Sequence, residues 1–218
     1  MGSTFFSAKG SRLSDQGCLI AFEGVEGAGK STQLHVAAAA LRARGITVVE
    51  TREPGGTVLG VELRRLLMHQ LDSPPAPMTE LLLYLADRAQ HLAEVIRPAL
   101  ARGEVVLTDR FSASTIAYQG FARQLDVDTV RRLDAIVRQE VTPALTVLLD
   151  CPVTIGLRRA RGDDRFHRED EEFHERVRAA FLRFADDAPE RFRVIDATRP
   201  SAEVQTQVVA AVLQCLNS

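Results

Sequence analysis

The chain has 218 residues, 45% hydrophobic and 26% charged, with a formal net charge of -2, the profile of one soluble globular domain with room for a sizeable core. That balance excludes a global attraction to nucleic acid or to an anionic membrane, so any anion site has to be local. No apolar run reaches the ~18 residues that span a bilayer, and neither the five histidines nor the three cysteines fall at metal-ligand spacing.

Residues 1–16 are polar and Gly/Ser-rich apart from Phe5 and Phe6, too little apolar length for a signal peptide. The expectation is a disordered tail ahead of a cytoplasmic domain over 17–218. Cys18, Cys151 and Cys215 are expected to be inert core thiols of a reducing compartment.

The first apolar run, Cys18 to Phe22, reads as a buried strand. Gly24 to Ser31, GVEGAGKS, follows it and fits G-x-x-x-x-G-K-[ST], and an Ala-rich helix is predicted from Thr32 to Arg44. Strand, loop and helix in that order make a phosphate cradle: glycines turn backbone N–H groups inward and the helix adds the positive end of its dipole. Lys30 reaches the outer phosphates and Ser31 offers a hydroxyl to magnesium. Of the 27 basic residues only Lys9 and Lys30 are lysines, so Lys30 marks a place where a compact ammonium serves and a guanidinium fork does not.

Four more strands are predicted, Ile46 to Thr51, Glu104 to Asp109, Ala144 to Asp150 and Phe192 to Asp196, with amphipathic segments between them. The alternation implies an α/β fold of three layers, α/β/α, with a five-stranded parallel sheet of the P-loop NTPase type. Right-handed crossovers bring every strand's carboxyl end to one edge, where the site belongs. Long helices are expected over Thr79 to Arg102 and Glu169 to Asp186, with the Pro-rich stretch Ser73 to Pro77 as a stiff connection.

The strand ends carry chemistry. Thr51 to Thr57, TREPGGT, is a tight turn offering Arg52 and Glu53; it could be a turn alone or a loop that brings Arg52 to a phosphate. Asp109 closes its strand and Arg110 follows, a carboxylate placed for magnesium and a fork placed for a phosphoryl group. Tyr84 and Arg88, spaced i, i+4, share a helix face and could receive a nucleobase or simply pack there. Arg158, Arg159, Arg161, Arg165 and Arg168 crowd one stretch, either a lid over transferring phosphates or a solvated helix face.

Taken together, FEGVEGAGKSTQ, TREPGGT, Y-x-x-x-R, DRF with STIAYQG, and IDATRP resemble the thymidylate kinase family, which moves the terminal phosphoryl of ATP onto dTMP. The resemblance runs from about Cys18 to the C-terminus and is closest to the bacterial type with lid arginines. It implies a P-loop nucleoside monophosphate kinase domain with a short lid at about 158–170. The ATP site would be Gly24, Val25, Glu26, Gly27, Ala28, Gly29, Lys30, Ser31 and Thr32, with magnesium on Ser31 and Asp109.

The dTMP site would be Glu26, Arg52, Glu53, Tyr84, Arg88, Arg110, Thr115, Tyr118 and Gln119. Within it, Tyr84 stacks on thymine, Arg88 binds its exocyclic oxygen, and Tyr118 crowds the sugar 2' position. Lys30, Asp109 and Arg110 would share catalysis with a lid arginine, Arg161 first and Arg159 second. The family also implies a homodimer, with no nucleic-acid partner. The rival readings are a kinase for another nucleoside monophosphate or deoxynucleoside, or a non-catalytic nucleotide switch. A guanine-reading N-K-x-D is impossible, because Asn217 is the sole asparagine.

Overall fold

The computed structural model describes residues 17–68, 74–160 and 165–217, and of Arg165 and His167 the backbone alone. The expected tail and Arg161 therefore lie outside the described residues, as does most of the Arg161-to-Arg165 stretch.

The five apolar runs form β1 (Cys18–Glu23), β2 (Val48–Arg52), β3 (Val105–Asp109), β4 (Leu145–Asp150) and β5 (Phe192–Asp196). All pair in parallel, in the order β2-β3-β1-β4-β5. The helices are α1 (Lys30–Arg42), α2 (Val58–Met68), α3 (Pro77–His91), α4 (Arg97–Ala101), α5 (Ser112–Thr115), α6 (Val127–Arg138), α7 (Val153–Arg159), α8 (Glu171–Asp187) and α9 (Ser201–Leu216).

The central strands are unbroken apolar runs because both faces of the sheet are covered. Ile20, Phe22, Val105 and Leu107 pack with Leu34, Ala38 and Leu41 of α1 and Val208 of α9. The alternate residues Leu19, Ala21 and Val106 pack on the opposite face with Leu92, Ile96 and Ala99. Each of the larger side chains here, the Val, Leu, Ile and Phe, contributes about 1.5–3 kcal/mol when withdrawn fully from water. Edge strand β5 has covered neighbours on one side only, and Arg193 and Val194 remain exposed.

The expected helix Thr79 to Arg102 is divided. Between α3 and α4 lies a π-helical turn, Leu92–Ile96, in which the Arg97 N–H reaches back to the Leu92 carbonyl. Pro98 explains it: with no N–H to donate and a ring that collides with the carbonyl four residues earlier, proline favours a wider local turn. The second long helix begins at Glu171, two residues later than expected, because Asp170 caps it, accepting from the Phe173 N–H at 2.7 Å.

Cys151 is fully buried, as expected of an inert thiol. Cys18 and Cys215 are not: both are half-buried, and their thiols hydrogen-bond one another between β1 and α9. That bond pulls the Cys215 thiol down to about 7, while Cys18 is pushed up, by the same bond first and by burial second. In alkylation with iodoacetamide at pH 7.5, Cys215 is expected to react first and Cys151 only after unfolding. Peptide mass spectrometry checks the order, and equal rates at the two sites would refute it.

Candidate active site

The loop between β1 and α1 adopts left-handed backbone at Gly27 (φ 67) and Gly29 (φ 91). At Gly27 glycine is required twice over, since a Cβ there would lie 1.9 Å from the Gly156 carbonyl oxygen of α7. Gly29 ends the loop and α1 starts at Lys30, two residues earlier than expected. Lys30 Nζ donates to the carbonyls of Gly24 (3.1 Å) and Val25 (2.8 Å), which keeps the ammonium within the loop. Burial, reinforced by Arg110, lowers Lys30 to about 8.

At the end of β3, Asp109 and Arg110 diverge. Ser31 Oγ donates to Asp109 Oδ2 at 2.5 Å. Burial works to raise the Asp109 carboxyl, but Lys30, Arg110 and the Ser31 hydrogen bond outweigh it and hold the group below its ordinary range. Arg110 has φ 75, a conformation non-glycine residues rarely adopt. Its Nη1 donates to Ser114 Oγ (3.0 Å) and Gly24 O (3.3 Å), its Nη2 to the Tyr118 hydroxyl (3.2 Å), and Glu26 Oε1 lies 3.8 Å away. Burial raises the Tyr118 phenol to about 12, so it stays neutral.

Two clefts meet here. The larger, about 1200 Å³, is lined by Glu26, Gly27, Gly29, Lys30, Ser31, Thr32, Arg52, Asp109 and Arg159. The smaller, about 510 Å³, is lined by Tyr84, Arg88, Thr115, Tyr118 and Gln119 together with Phe111, Met68 and Phe166. Glu26, Glu53, Arg64 and Arg110 line both. Each described residue of the expected acceptor site thus borders one cavity or the other, Arg52 on the phosphate side. Of the expected phosphate-loop residues, Gly24, Val25 and Ala28 are buried and line neither cavity.

Sequence reasoning missed the layer beneath. Arg88 is no solvated helix residue: its side chain is 2% exposed, with Nη2 on Glu53 Oε2 (2.7 Å), Nη1 on Asp134 Oδ1 (2.6 Å), and its guanidinium over the Phe111 ring. Glu53, expected to meet substrate, turns its other oxygen to His91 Nδ1 at 2.9 Å, and His91 Nε2 hydrogen-bonds Thr51 Oγ1 at 2.6 Å. Burial would raise Glu53, but Arg88 and His91 hold it below its ordinary value, so it stays ionised and orients Arg88.

Asp87 accepts the Gly55 N–H at 3.0 Å, and burial, with Glu53 adding repulsion, pushes it up to about 6. Glu23, buried at the end of β1, accepts from Phe111 N, Ser114 N and Ser114 Oγ, and so ties the DRF segment to the sheet. Spacing could have suggested Asp87 and His91, which lie on α3 beside Arg88; nothing in the sequence points to Asp134.

Among the described residues no cluster of three or more His, Cys, Asp or Glu could hold a metal unaided. The adjoining Ser31 hydroxyl and ionised Asp109 fit magnesium, which takes few protein ligands and completes its shell with phosphate oxygens and water. Arg159 Nη1 donates to the Ala197 carbonyl at 2.8 Å at the rim of the larger cleft, whereas Arg161 lies outside the described residues.

A P-loop at the carboxyl edge of a parallel sheet, opening past a half-buried arginine into an aromatic-walled cavity, defines a nucleotide-binding α/β protein of the P-loop class. A family model described as thymidylate kinase matches residues 22–208. The chain is 50% identical over 206 residues to the thymidylate kinase of Geobacter sulfurreducens, covering 90% of this chain and 96% of that one. It is 54% identical over 192 residues to that of Pseudomonas fluorescens, covering 87% and 91%. Among solved structures, thymidylate kinase from Ehrlichia chaffeensis matches with a TM-score of 0.73 at 34% identity, over 91% of this chain and 99% of that one. The chain belongs to the thymidylate kinase family.

Lys30 supplies a test of the cradle. With its amine lowered to about 8, an incoming triphosphate favours the charged form and raises it again, so binding takes up a proton where the free amine is neutral. Calorimetry in buffers of differing ionisation enthalpy should show ATP binding with uptake approaching one proton near pH 9 and none from this group at pH 6.5. Identical linkage at both values, or in Lys30→Met, would refute the assignment.

Proposed function

We infer that this chain transfers the terminal phosphoryl of ATP to dTMP, giving ADP and dTDP on the way to dTTP. The observation that carries the reading is the junction of the two clefts at Glu26, Glu53, Arg64 and Arg110. A donor in the phosphate loop and an acceptor in the aromatic cavity would face each other across it.

In this reading the N–H groups of Gly27 to Thr32 and the Lys30 ammonium hold the ATP phosphates. Arg52, Arg64 and Arg110 receive the acceptor phosphate, Arg64 being the member that motif reasoning passed over. Tyr84, Phe111 and Arg88 flank the thymine, with Thr115 and Gln119 beside it, and Tyr118 stands against the sugar. Magnesium, held by Ser31 and Asp109, would offset phosphate charge.

Phosphoryl transfer asks little covalent chemistry of a protein. Alignment and charge stabilisation do most of the work, and closing the site keeps water from taking the phosphoryl group. Lys30 and Arg110 supply fixed positive charge, and an arginine of 158–170, Arg161 first and Arg159 second, supplies more in the transition state.

Exposed apolar side chains on α2 (Val58 at 86%, Val61 at 54%) and α3 (Leu82 at 51%) support a homodimer formed through these helices. Among the described residues no helix is long and apolar enough to cross a membrane, in keeping with a cytoplasmic enzyme. The net charge of -2 supports the absence of a nucleic-acid partner.

Coupled ADP release with ATP, magnesium and dTMP, dUMP, UMP or no acceptor tests the reading. Turnover should be strong with dTMP and near background without an acceptor; equal release without acceptor would overturn it. Arg161→Ala should lower kcat by a factor on the order of 10³ and leave KM values less affected. A near-normal kcat would transfer the role to Arg159 or Arg165.

A further inference from the structure

Arg123 has no part in the chemistry above. It follows the π-helical turn Ile116–Ala122 and does not line the acceptor cavity. Its guanidinium nonetheless joins the two walls of that cavity. On one side Nε donates to Glu80 Oε1 at 3.3 Å, and the same oxygen accepts from Gln119 Nε2 at 2.8 Å. On the other, Nη2 donates to Glu169 Oε1 at 2.5 Å, and the charged plane lies over the rings of Phe173 (4.7 Å) and Phe166 (5.7 Å). Phe166 is itself a cavity wall, 3% exposed and set edge-to-face against Tyr118 with centroids 5.6 Å apart.

These partners are too specific for a surface ion pair. Arg123 is 18% exposed, Glu80 1% and Glu169 24%, so water competes weakly and the charge-assisted bonds and ring contacts keep their strength. Two carboxylates and two rings are met at once by a planar fork, which a lysine could not reproduce. Gln119 and Phe166 come from segments far apart in sequence, and the Glu80–Arg123–Glu169 chain spans between them.

We propose that Arg123 is a positioning residue for the acceptor: it holds Phe166, the ring packed on Tyr118, at a set distance from the helical turn that carries Gln119, fixing the width of the cavity where base and sugar lie. The proposal rests on the acceptor reading of that cavity. It assigns Arg123 to acceptor affinity and not to the phosphoryl-transfer step.

Steady-state kinetics of Arg123→Met, Glu169→Gln and the double variant test it, using the monophosphate that the unsubstituted enzyme turns over. Arg123→Met should raise the acceptor KM by about tenfold with the ATP KM within about twofold. Glu169→Gln should move the acceptor KM the same way by a smaller factor. The double variant should be no worse than Arg123→Met, because both cut one link.

An unchanged acceptor KM, whatever happens to kcat, or an equal rise in the ATP KM overturns the proposal. So does a fully additive double variant. If Arg123→Met fails to fold, the Glu169→Gln comparison decides alone by the same criteria. Preference of the unsubstituted enzyme for another acceptor would sink the dTMP reading and leave this test intact; no turnover on any monophosphate would overturn both.

Discussion

A guanidinium withdrawn from water must have its donors occupied and its charge answered, and at Arg110 the surroundings do both. The phosphate loop contributes the Gly24 carbonyl and Glu26, while the segment after β3 contributes Ser114 and Tyr118, whose ring also lies under the cation at 4.9 Å. Burial acts against the charge, but Tyr118, Glu26 and Asp109 outweigh it and hold Arg110 protonated more firmly than an ordinary arginine. Because its φ is 75, the chain turns sharply between neighbours: Asp109 faces Ser31 in the phosphate cleft and Arg110 faces the aromatic cavity. Donor and acceptor sites are thus joined through one half-buried residue.

Around that residue lies a network of paired, mostly buried charge. Glu53 is shared by Arg88 and His91, Arg88 is shared by Glu53 and Asp134, and Asp134 also accepts from Ser112 and Arg138. Removing any one partner would leave a buried ionised group with part of its charge and hydrogen bonding unanswered, which costs more than the loss of an exposed pair does. Such a network holds Arg88 in one orientation, and a fork in one orientation is what planar recognition of a base edge requires. Glu53 therefore serves the site from beneath, where the motif alone suggested direct contact with substrate.

Local signals carried well here when the feature was itself local. The apolar runs became β1 to β5 with shifts of at most two residues, most plainly in the central strands β1, β3 and β4, where burial on both faces demands unbroken apolar sequence whatever the partners. The phosphate loop was legible because its glycines, lysine and serine act through backbone geometry within eight residues. The π-helical turn before α4 was not foreseen although its cause, Pro98, stood in view, because helical periodicity survives a single wide turn. Glu80, Arg123 and Asp134 were invisible, because the pairs Glu80–Arg123, Arg123–Glu169 and Arg88–Asp134 join positions 43 to 46 apart.

The sequence by itself determined the fold class, the phosphate cradle and the family, because backbone propensity, apolar periodicity and motif spacing are encoded over short stretches. Only the tertiary structure decided that Arg88 is buried between two carboxylates, that Glu53 orients it, that Arg64 joins the phosphate cleft to the aromatic cavity, and that Arg123 bridges the cavity's walls. Those facts are set by which elements the parallel sheet brings side by side. Long-range pairing of charge leaves no pattern in a linear chain, since any acid can answer any base until packing chooses between them.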